Sequence, residues 1–332
     1  MNATTQDKSR HHHFVTQSWI KRFRPVHDPE ITENKPNHVQ VMTHNEAGIR
    51  IKPQTTKKIM EIFNLYTVDP NGIDNTDAEE VDLKKVDQEC VTAFDALLKN
   101  NDYSETVKDS LASFFSVQFM RDPSTMARYA PAMQEMLVAI KEATSKARDY
   151  DDFCTELRKE LPHAGMMPSE DEYDALVSEL GNTSDINNDT RFQAIYDTLG
   201  NSDGHPDSPH TDLLTDESGL SVIRTTLLNM QWTLKTSETV EFILGDNPLL
   251  TEKGDVAKGV RIPMSRHHAL ILTPDASPSK EIAQDVATPP EVNAINWESA
   301  ARTRQWLVGA KQVLASDEIT NQFKSIRSYV EA

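Results

Sequence analysis

The chain has 332 residues, of which 37% are hydrophobic and 26% are charged, so it can bury the core of one large domain or two ordinary ones. No stretch approaches the roughly 20 consecutive apolar residues that a membrane helix requires, and we expect no membrane partner. The first ten residues lack an apolar run, so we expect no secretory signal and a cytoplasmic location. Cys90 and Cys154, the two cysteines, have no ligand or redox spacing and are predicted to be reduced thiols.

The net charge of -18 is unevenly distributed along the chain. Between Asp149 and Glu217 there are 18 acidic residues against the three basic residues Arg158, Lys159 and Arg191. A negative balance argues against a nucleic-acid partner, but acidity confined to one region leaves an anionic substrate open elsewhere. We predict that residues 149–218 form an acidic helical insertion or lid, which is either a solvated face or a surface for a basic protein.

The N-terminal part of the chain is predicted to contain a short helix and a hairpin. Residues 1–10 are expected to be a disordered arm, and Trp19, Ile20 and Phe23 then recur at helical spacing. The stretch "VQVMTHNEAGIRIK" is typical of a strand, a turn and a second strand. A short helix is expected around residues 57–63.

The middle of the chain is predicted to be mostly helical. One long helix begins at Thr76 and ends near Lys99, and the next follows Ser104, a good N-cap, and ends before Pro123. Later helices are predicted over "STMARYAPAMQEMLVAIKEATSKA", bent at Pro131, and over "YDDFCTELRKEL".

The last third of the chain returns to short strands. A helix over "LSVIRTTLLNM" leads into the strand-like runs "QWTLKT", "VEFILGDNP", "VRIPMS" and "ALILTP". A helix over residues 290–304, a strand in "QWLVGA" and a terminal helix from Ser316 follow. Strands at both ends with helices between them predict an α+β fold in one domain spanning residues 11–332. Its small mixed or antiparallel sheet is expected to combine the N-terminal hairpin with the C-terminal strands.

Three consecutive histidines, His11, His12 and His13, open this predicted domain. They are consistent with a tag fragment, a set of metal ligands, a catalytic pair or a structural cluster. Neighbouring side chains diverge on a helix or a strand, so two adjacent histidines do not easily bind one ion. A second pair, His267 and His268, lies at a strand edge and is predicted to be a surface feature.

Further polar residues occur at positions suited to chemistry. Gln118 and Arg121 lie three residues apart and share a helix face, from which an arginine can hold a carboxylate, a phosphate or an internal ion-pair partner. Glu80 and Asp87 are about 10.5 Å apart along one helix, too far to bind one metal ion by themselves. Asp246, which ends an apolar strand, is either an Asx-turn residue or an active-site carboxylate on a rigid element.

Taken in chain order, these motifs resemble the domain of unknown function 4238 family. The residues that carry the resemblance are His12, His13, Phe14, Val15, Gln17, Trp19, Ile20 and Phe23; Glu80, Leu83, Val86 and Asp87; Gln118, Arg121 and Pro123; Asp246, Asn247 and Pro248; Pro263 and Ser265; and Asn296. Thr16 replaces a usual proline, and Asp87 replaces a glutamate. The resemblance implies that His12 and His13 are the relevant pair of the histidine run.

The resemblance brings no established activity, and the chemistry is inferred from residue types. If the residues converge, the sequence predicts a hydrolase, with nuclease or nucleotide-directed phosphoryl-transfer chemistry on a small-molecule or nucleic-acid phosphate. His12 or His13 would be the general acid or base, Arg121 would stabilise anionic charge, and Asp246 would orient a histidine or bind a divalent metal ion with His13. The supporting residues would be Gln17, Glu80, Asp87, Gln118, Asn247, Ser265 and Asn296. The alternative is a non-catalytic binding or scaffold protein whose polar cluster is structural.

Overall fold

The computed structural model describes residues 11–31, 33–45, 48–63, 84–122, 142–160 and 217–325, together with residues 125, 139, 170 and 173. Within these ranges, a four-stranded sheet, a five-stranded sheet and a two-stranded ribbon combine with the helices that pack on them. The α+β fold class predicted from the sequence is confirmed. In the same ranges, no helix combines the length and the apolar character needed to cross a membrane.

The strands and helices are numbered here in chain order. The strands are β1 (His11–His13), β2 (His38–Asn45), β3 (Gly48–Thr55), β4 (Glu61–Phe63), β5 (Met230–Thr236), β6 (Leu244–Gly245), β7 (Leu250–Glu252), β8 (Asp255–Ser265), β9 (His268–Pro274), β10 (Ala283–Val286) and β11 (Leu307–Val308). The helices are α1 (Gln17–Ile20), α2 (Lys84–Lys99), α3 (Glu105–Arg121), α4 (Tyr150–Glu160), α5 (Glu217–Leu228), α6 (Pro289–Arg302), α7 (Lys311–Leu314) and α8 (Asp317–Ser325).

The four-stranded sheet joins the two ends of the chain. The predicted hairpin is present, with β2 and β3 paired antiparallel from His38 opposite Thr55 to Asn45 opposite Gly48. Gly48 adopts a φ of 98°, a conformation that favours glycine in the turn. The short strand β11 pairs antiparallel with β2 on one side and with β6 on the other, giving the order β3-β2-β11-β6. The N-terminal hairpin therefore shares one sheet with the C-terminal strands β6 and β11, as predicted, whereas the other C-terminal strands form a second sheet that the sequence did not predict.

The five-stranded sheet is built from the C-terminal third and has the order β10-β5-β9-β8-β7. Strand β10 runs parallel to β5, and the other neighbours are antiparallel. Met230, Trp232 and Leu234 alternate with less buried residues along β5, which shows that one face of this strand packs on the core.

Helix α3 lies at the centre of the hydrophobic core. Its N-cap Ser104 accepts a hydrogen bond from the Val107 N–H, and it ends at Arg121 because Asp122, which precedes a proline, is extended. Its residues Phe114 and Phe115 pack against Trp19 with ring centroids 5.6 and 6.0 Å away. The core therefore connects the N-terminal segment directly to the helical middle.

The prediction of a short helix over residues 57–63 is wrong. A single 3-10 turn covers Thr56–Lys58, Met60 has a φ of 53°, and Glu61–Phe63 form strand β4 paired with β1. The apolar spacing in this stretch suits a helix or a strand, and its partner, the histidine run about 50 residues earlier, decides between them. The predicted "VEFILGDNP" strand is also shorter than expected, since only Leu244 and Gly245 are in β6.

The acidic region is described only in part. Its first predicted helix is present as α4, whose Phe153 and Leu157 form a small apolar cluster with Ala139, Ala143 and Tyr173. The remaining predictions for residues 149–218, and those for residues 1–10, for Pro131 and for the start of the long helix at Thr76, lie outside the described residues. Cys90 and Cys154 are free thiols, and burial raises the pKa of the Cys90 thiol.

Candidate functional site

The N-terminal motif begins in the ribbon formed by β1 and β4. His13 lies opposite Glu61 in this ribbon, and its side chain is half-buried. The next residue, Phe14, is buried and donates its N–H to the Met60 carbonyl oxygen at 3.1 Å. The backbone of His12 is part of β1, but its side chain is outside the described part of the structure.

Helix α3 brings two of the predicted polar residues to this motif. Gln118 is fully buried, and its Nε2 donates to the Phe14 carbonyl oxygen at 2.6 Å. One turn later, Arg121 Nη1 lies 2.6 Å from Asp87 Oδ1 on α2. The Arg121 side chain is 2% exposed and that of Asp87 is 37% exposed, so this ion pair reaches from the interior to the surface. Gln118 and Arg121, which are predicted to share one helix face, therefore connect α3 to Phe14 of the N-terminal motif and to Asp87 on α2.

Asp246 lies at the end of β6 and binds three consecutive backbone N–H groups. Its Oδ1 accepts from Arg304 at 2.8 Å, and its Oδ2 accepts from Gln305 at 2.6 Å and from Trp306 at 3.0 Å. Burial raises the pKa of the Asp246 carboxyl to about 6, although the three N–H bonds oppose this rise, and the nearby Asp122 carboxylate adds to it. The carboxylate thus anchors the segment between α6 and β11.

One aromatic contact connects these two groups of residues. The ring of Phe14 packs against the ring of Trp306, with 6.1 Å between their centroids. Phe14 is also the residue whose carbonyl binds Gln118, while the Trp306 N–H binds Asp246. Residues from the N-terminal motif, the middle helix and the C-terminal third therefore meet in one place.

Asn296 completes the support of this region from α6. Its side chain is buried, its Nδ2 donates to the Glu241 carbonyl at 2.8 Å, and its Oδ1 accepts the Ile243 N–H at 3.0 Å. Both polar groups of this amide are therefore bound to the backbone that leads into β6 and Asp246. This is a positioning contact that fixes the strand on the helix.

The remaining predicted residues have contacts of their own. Gln17 Oε1 accepts from the Thr56 hydroxyl at 3.4 Å, and Asn247 is half-buried beside Asp246. Ser265 Oγ lies 2.9 Å from His268 Nδ1 in the tight turn between β8 and β9, and burial lowers the pKa of His268. Glu80 is outside the described residues.

The Pro-x-Ser motif is linked to the N-terminal motif by one side chain. Trp19 Nε1 donates to the Pro263 carbonyl oxygen at 2.9 Å. This bond is buried, and it joins two motifs that are 244 residues apart. An indole N–H of a buried tryptophan usually finds such a partner, so the contact is expected once the ring is inside.

A metal ion has limited support in this part of the chain. Among the described residues, no group of three or more His, Cys, Asp or Glu side chains could hold one. His13 and Asp246 were the predicted candidates, and the oxygens of Asp246 already accept three backbone donors. In the structure, the polar residues of this region form hydrogen bonds within the fold.

Sequence reasoning missed the residues that bind Asp246. The donors are backbone groups of residues 304–306, and a backbone N–H carries no signature in the sequence. Trp306 at the start of a predicted strand was the available signal, because a large aromatic side chain at such a position usually packs on a neighbouring element, as this half-buried ring does on Phe14. Asp122, the acidic neighbour of Asp246 in space, is marked in the sequence only as the residue at the end of α3.

Together these contacts define an α+β protein with a buried polar centre assembled from both ends of its chain. A family model described as "Protein of unknown function (DUF4238)" matches residues 11–312, and the chain belongs to this family. The match begins at β1 and ends within α7, so it includes every described residue of the centre. No curated protein and no solved structure matches the chain.

Proposed function

We propose that this protein is a non-catalytic binding or scaffold protein. In this proposal, the polar residues shared with the family hold its fold together, and the acidic region of residues 149–218 binds a basic protein surface. The observation that carries the proposal is Asp246, which is 4% exposed and accepts three backbone hydrogen bonds. A carboxylate used in this way fixes a turn and is not presented to a substrate.

The other buried polar residues support the same interpretation. Gln118 and Asn296 are bound to backbone groups of distant segments, and Arg121 is bound to Asp87. Breaking one partner from such a buried contact leaves an unsatisfied group and costs about 1–3 kcal/mol, more for a charge. Residues with this role are expected to be shared within a family because the fold requires them.

The partner surface is assigned from the charge of the acidic region. Residues 149–217 carry a net charge of -15, from 18 acidic residues and 3 basic ones. A field of one sign attracts an oppositely charged partner and speeds its association, most strongly at low salt. A lysine- or arginine-rich protein segment is the matching partner.

Hydrolysis at the edge of the polar centre is the second candidate function. It is favoured by one observation, which is that the buried Arg121 guanidinium binds a carboxylate whose side chain is one-third exposed. The half-buried His13 precedes Phe14, which binds Gln118 on the same face of α3. In this alternative, His12 or His13 would transfer a proton and Arg121 would stabilise the charge on a phosphate, with a divalent metal ion as the cofactor.

One experiment separates the two candidates. Purified protein is incubated with Mg²⁺ or Mn²⁺ and with RNA, DNA or nucleotides, beside a His12→Ala, His13→Ala variant and a His44→Ala control. The proposal expects no turnover above that of the double variant. Turnover that is lost in the double variant, kept in the control and accompanied by an unchanged melting temperature would establish the hydrolase instead.

The partner surface is tested by fluorescence anisotropy with a labelled lysine-rich peptide and a glutamate-rich peptide of equal length. The lysine-rich peptide is expected to bind and to weaken as salt shortens the range of the charges. An Asp171→Asn, Glu172→Gln, Asp174→Asn variant should bind it less tightly. Equal binding of both peptides, or no effect of the substitutions, would contradict the assigned surface.

A further inference from the structure

A second site, separate from the polar centre, lies where the N-terminal segment meets the C-terminal third. It is a cavity of about 510 Å³ between residues 25–29, the turn at Arg266 and the short helix α7. Its volume falls in the range of small-molecule sites, roughly 300–1,000 Å³. Pro25, Val26, Pro29 and Ala315 supply apolar walls, and Asp28, Glu241, Arg266 and Lys311 supply charges.

Both cations that line this cavity already have partners within the protein. Arg266 Nη2 lies 3.0 Å from Glu241 Oε1, and Arg266 Nη1 donates to the Arg24 carbonyl at 3.2 Å. Lys311 Nζ forms an ion pair with Glu30. The ammonium of Lys311 and the amide of Gln40 hold the pKa of Glu30 below its usual range, so this carboxylate is charged near neutral pH. Each cation therefore already has a carboxylate partner, which weakens its attraction for an anionic ligand.

The lining holds two carboxylates, Asp28 and Glu241, and two cations, Arg266 and Lys311. Glu30, which lies outside the lining, neutralises Lys311, and Glu241 neutralises Arg266, so Asp28 is the carboxylate whose charge is left over. The described contacts of Asp28 are with neutral donors, since its Oδ2 accepts from Gln40 Nε2 at 2.9 Å and its Oδ1 accepts from the Glu30 N–H at 2.8 Å.

Two buried oxygen atoms beside the carboxylates have hydrogen-bonding capacity to spare. In the described part of the chain, Glu241 Oε2 and Gln40 Oε1 are shielded from solvent and accept no hydrogen bond. Gln40 is fully buried, and its amide nitrogen contacts both Asp28 and Glu30, so the side chain is directed at this cluster. A buried acceptor without a donor is unfavourable. Glu241 lines the cavity, whereas Gln40 contacts the lining residue Asp28 from outside it.

We propose that this cavity binds a small organic cation with a primary ammonium group on a short alkyl chain. The ammonium would donate to Asp28, whose described contacts are with neutral donors. The alkyl chain would contact Pro25, Val26 and Ala315, which would cover part of the Val26 side chain, now 68% exposed. This inference goes beyond the proposed function and does not depend on whether the polar centre is catalytic.

The test is a binding titration of the full chain by NMR or calorimetry with n-butylammonium, beside the neutral n-butanol and the anionic n-butyrate. Saturable binding of the ammonium alone is expected. Asp28→Asn should weaken it by about tenfold or more, the size of one charge-assisted hydrogen bond, while Glu252→Gln, an exposed carboxylate elsewhere, should leave it unchanged.

Lys311→Met is expected to change the affinity for n-butylammonium in the opposite direction. Removal of its ammonium frees Glu30 and adds one negative charge to the cavity, so n-butylammonium should bind several-fold more tightly. Melting temperatures of all variants are measured alongside. Binding of n-butanol or n-butyrate at the affinity of the ammonium, no binding of the ammonium, or unchanged binding in folded Asp28→Asn protein would overturn the proposal.

Discussion

Replacing Asp246 by asparagine is expected to remove a pH dependence of stability that the buried carboxylate creates. The asparagine carbonyl can still accept hydrogen bonds from the N–H groups of Gln305 and Trp306. Its amide nitrogen then takes the place of Oδ1, which accepts the Arg304 N–H at 2.8 Å in the native protein, and an amide nitrogen cannot accept that bond. The variant loses one hydrogen bond to a charged acceptor, about 1.5–3 kcal/mol, and it also avoids burying a charge. Its stability at pH 8 is therefore expected to be close to that of the native protein.

The pH dependence follows from the position of the Asp246 pKa. Burial raises it from 3.8 to about 6, and a shift of roughly two pKa units corresponds to about 3 kcal/mol. Because the folded protein holds the proton more tightly than the unfolded chain, this contribution is fully present below pH 3.8 and is lost as the pH rises through 6. Between pH 8 and pH 5, the native protein should gain about 1 kcal/mol over the asparagine variant.

Urea unfolding of both proteins at pH 5, 6, 7 and 8 measures this difference, since other titrating groups cancel between them. Asp275→Asn is the control, because this exposed carboxylate accepts one N–H from Ser277 at 2.9 Å. The control difference should not change with pH. A difference between native protein and Asp246→Asn that grows toward pH 8 would refute the reasoning, because it would mean that the three N–H groups outweigh burial.

Three further predictions test the packing around the motifs. Asn296→Ala leaves the Ile243 N–H and the Glu241 carbonyl without their partner, so it should lower the free energy of unfolding by about 2–4 kcal/mol. The control Asn293→Ala, at an exposed position of the same helix, should change this free energy little. Equal effects of the two substitutions would contradict the role of the Asn296 amide. Thr16→Pro fits the observed φ of -63° and should raise stability by about 0.5–1 kcal/mol in urea unfolding, and a loss above 1 kcal/mol would show that the threonine hydroxyl or N–H is required. Lys235→Met removes the ammonium that holds the pKa of Glu291 at about 2. An NMR titration of the variant should find the Glu291 pKa raised toward 4.5. An unchanged pKa would assign the shift to the hydrogen bonds from Thr288 instead.

Features set by local chemistry were predictable from the sequence. The hairpin follows from alternating residues around a turn that ends in Gly48, and α3 follows from the Ser104 N-cap and the proline after Asp122. The meeting of both chain ends in one sheet followed from strands at each end of a helical middle. These features depend on residues close together in sequence or on one general packing rule.

Features set by distant partners were not predictable. Residues 61–63 became a strand because they pair with the histidine run, and no periodicity within the stretch specifies this. Asp246 was recognised as a polar residue of interest, but its donors are backbone groups 58–60 residues later in the chain. The difference between a catalytic carboxylate and an anchoring one depends on burial, which the sequence of a strand end does not specify.

The position of β11 between β2 and β6 has a consequence for how the protein is made. A ribosome releases Val41 and Met42 of β2 long before Leu307 and Val308, the residues that pair with them, have been synthesised. During translation the inner edge of the hairpin therefore remains open, and a nascent chain that stops before Leu307 lacks the strand that joins the two halves of its sheet. We expect the chain to complete this sheet only after Leu307 and Val308 have left the ribosome.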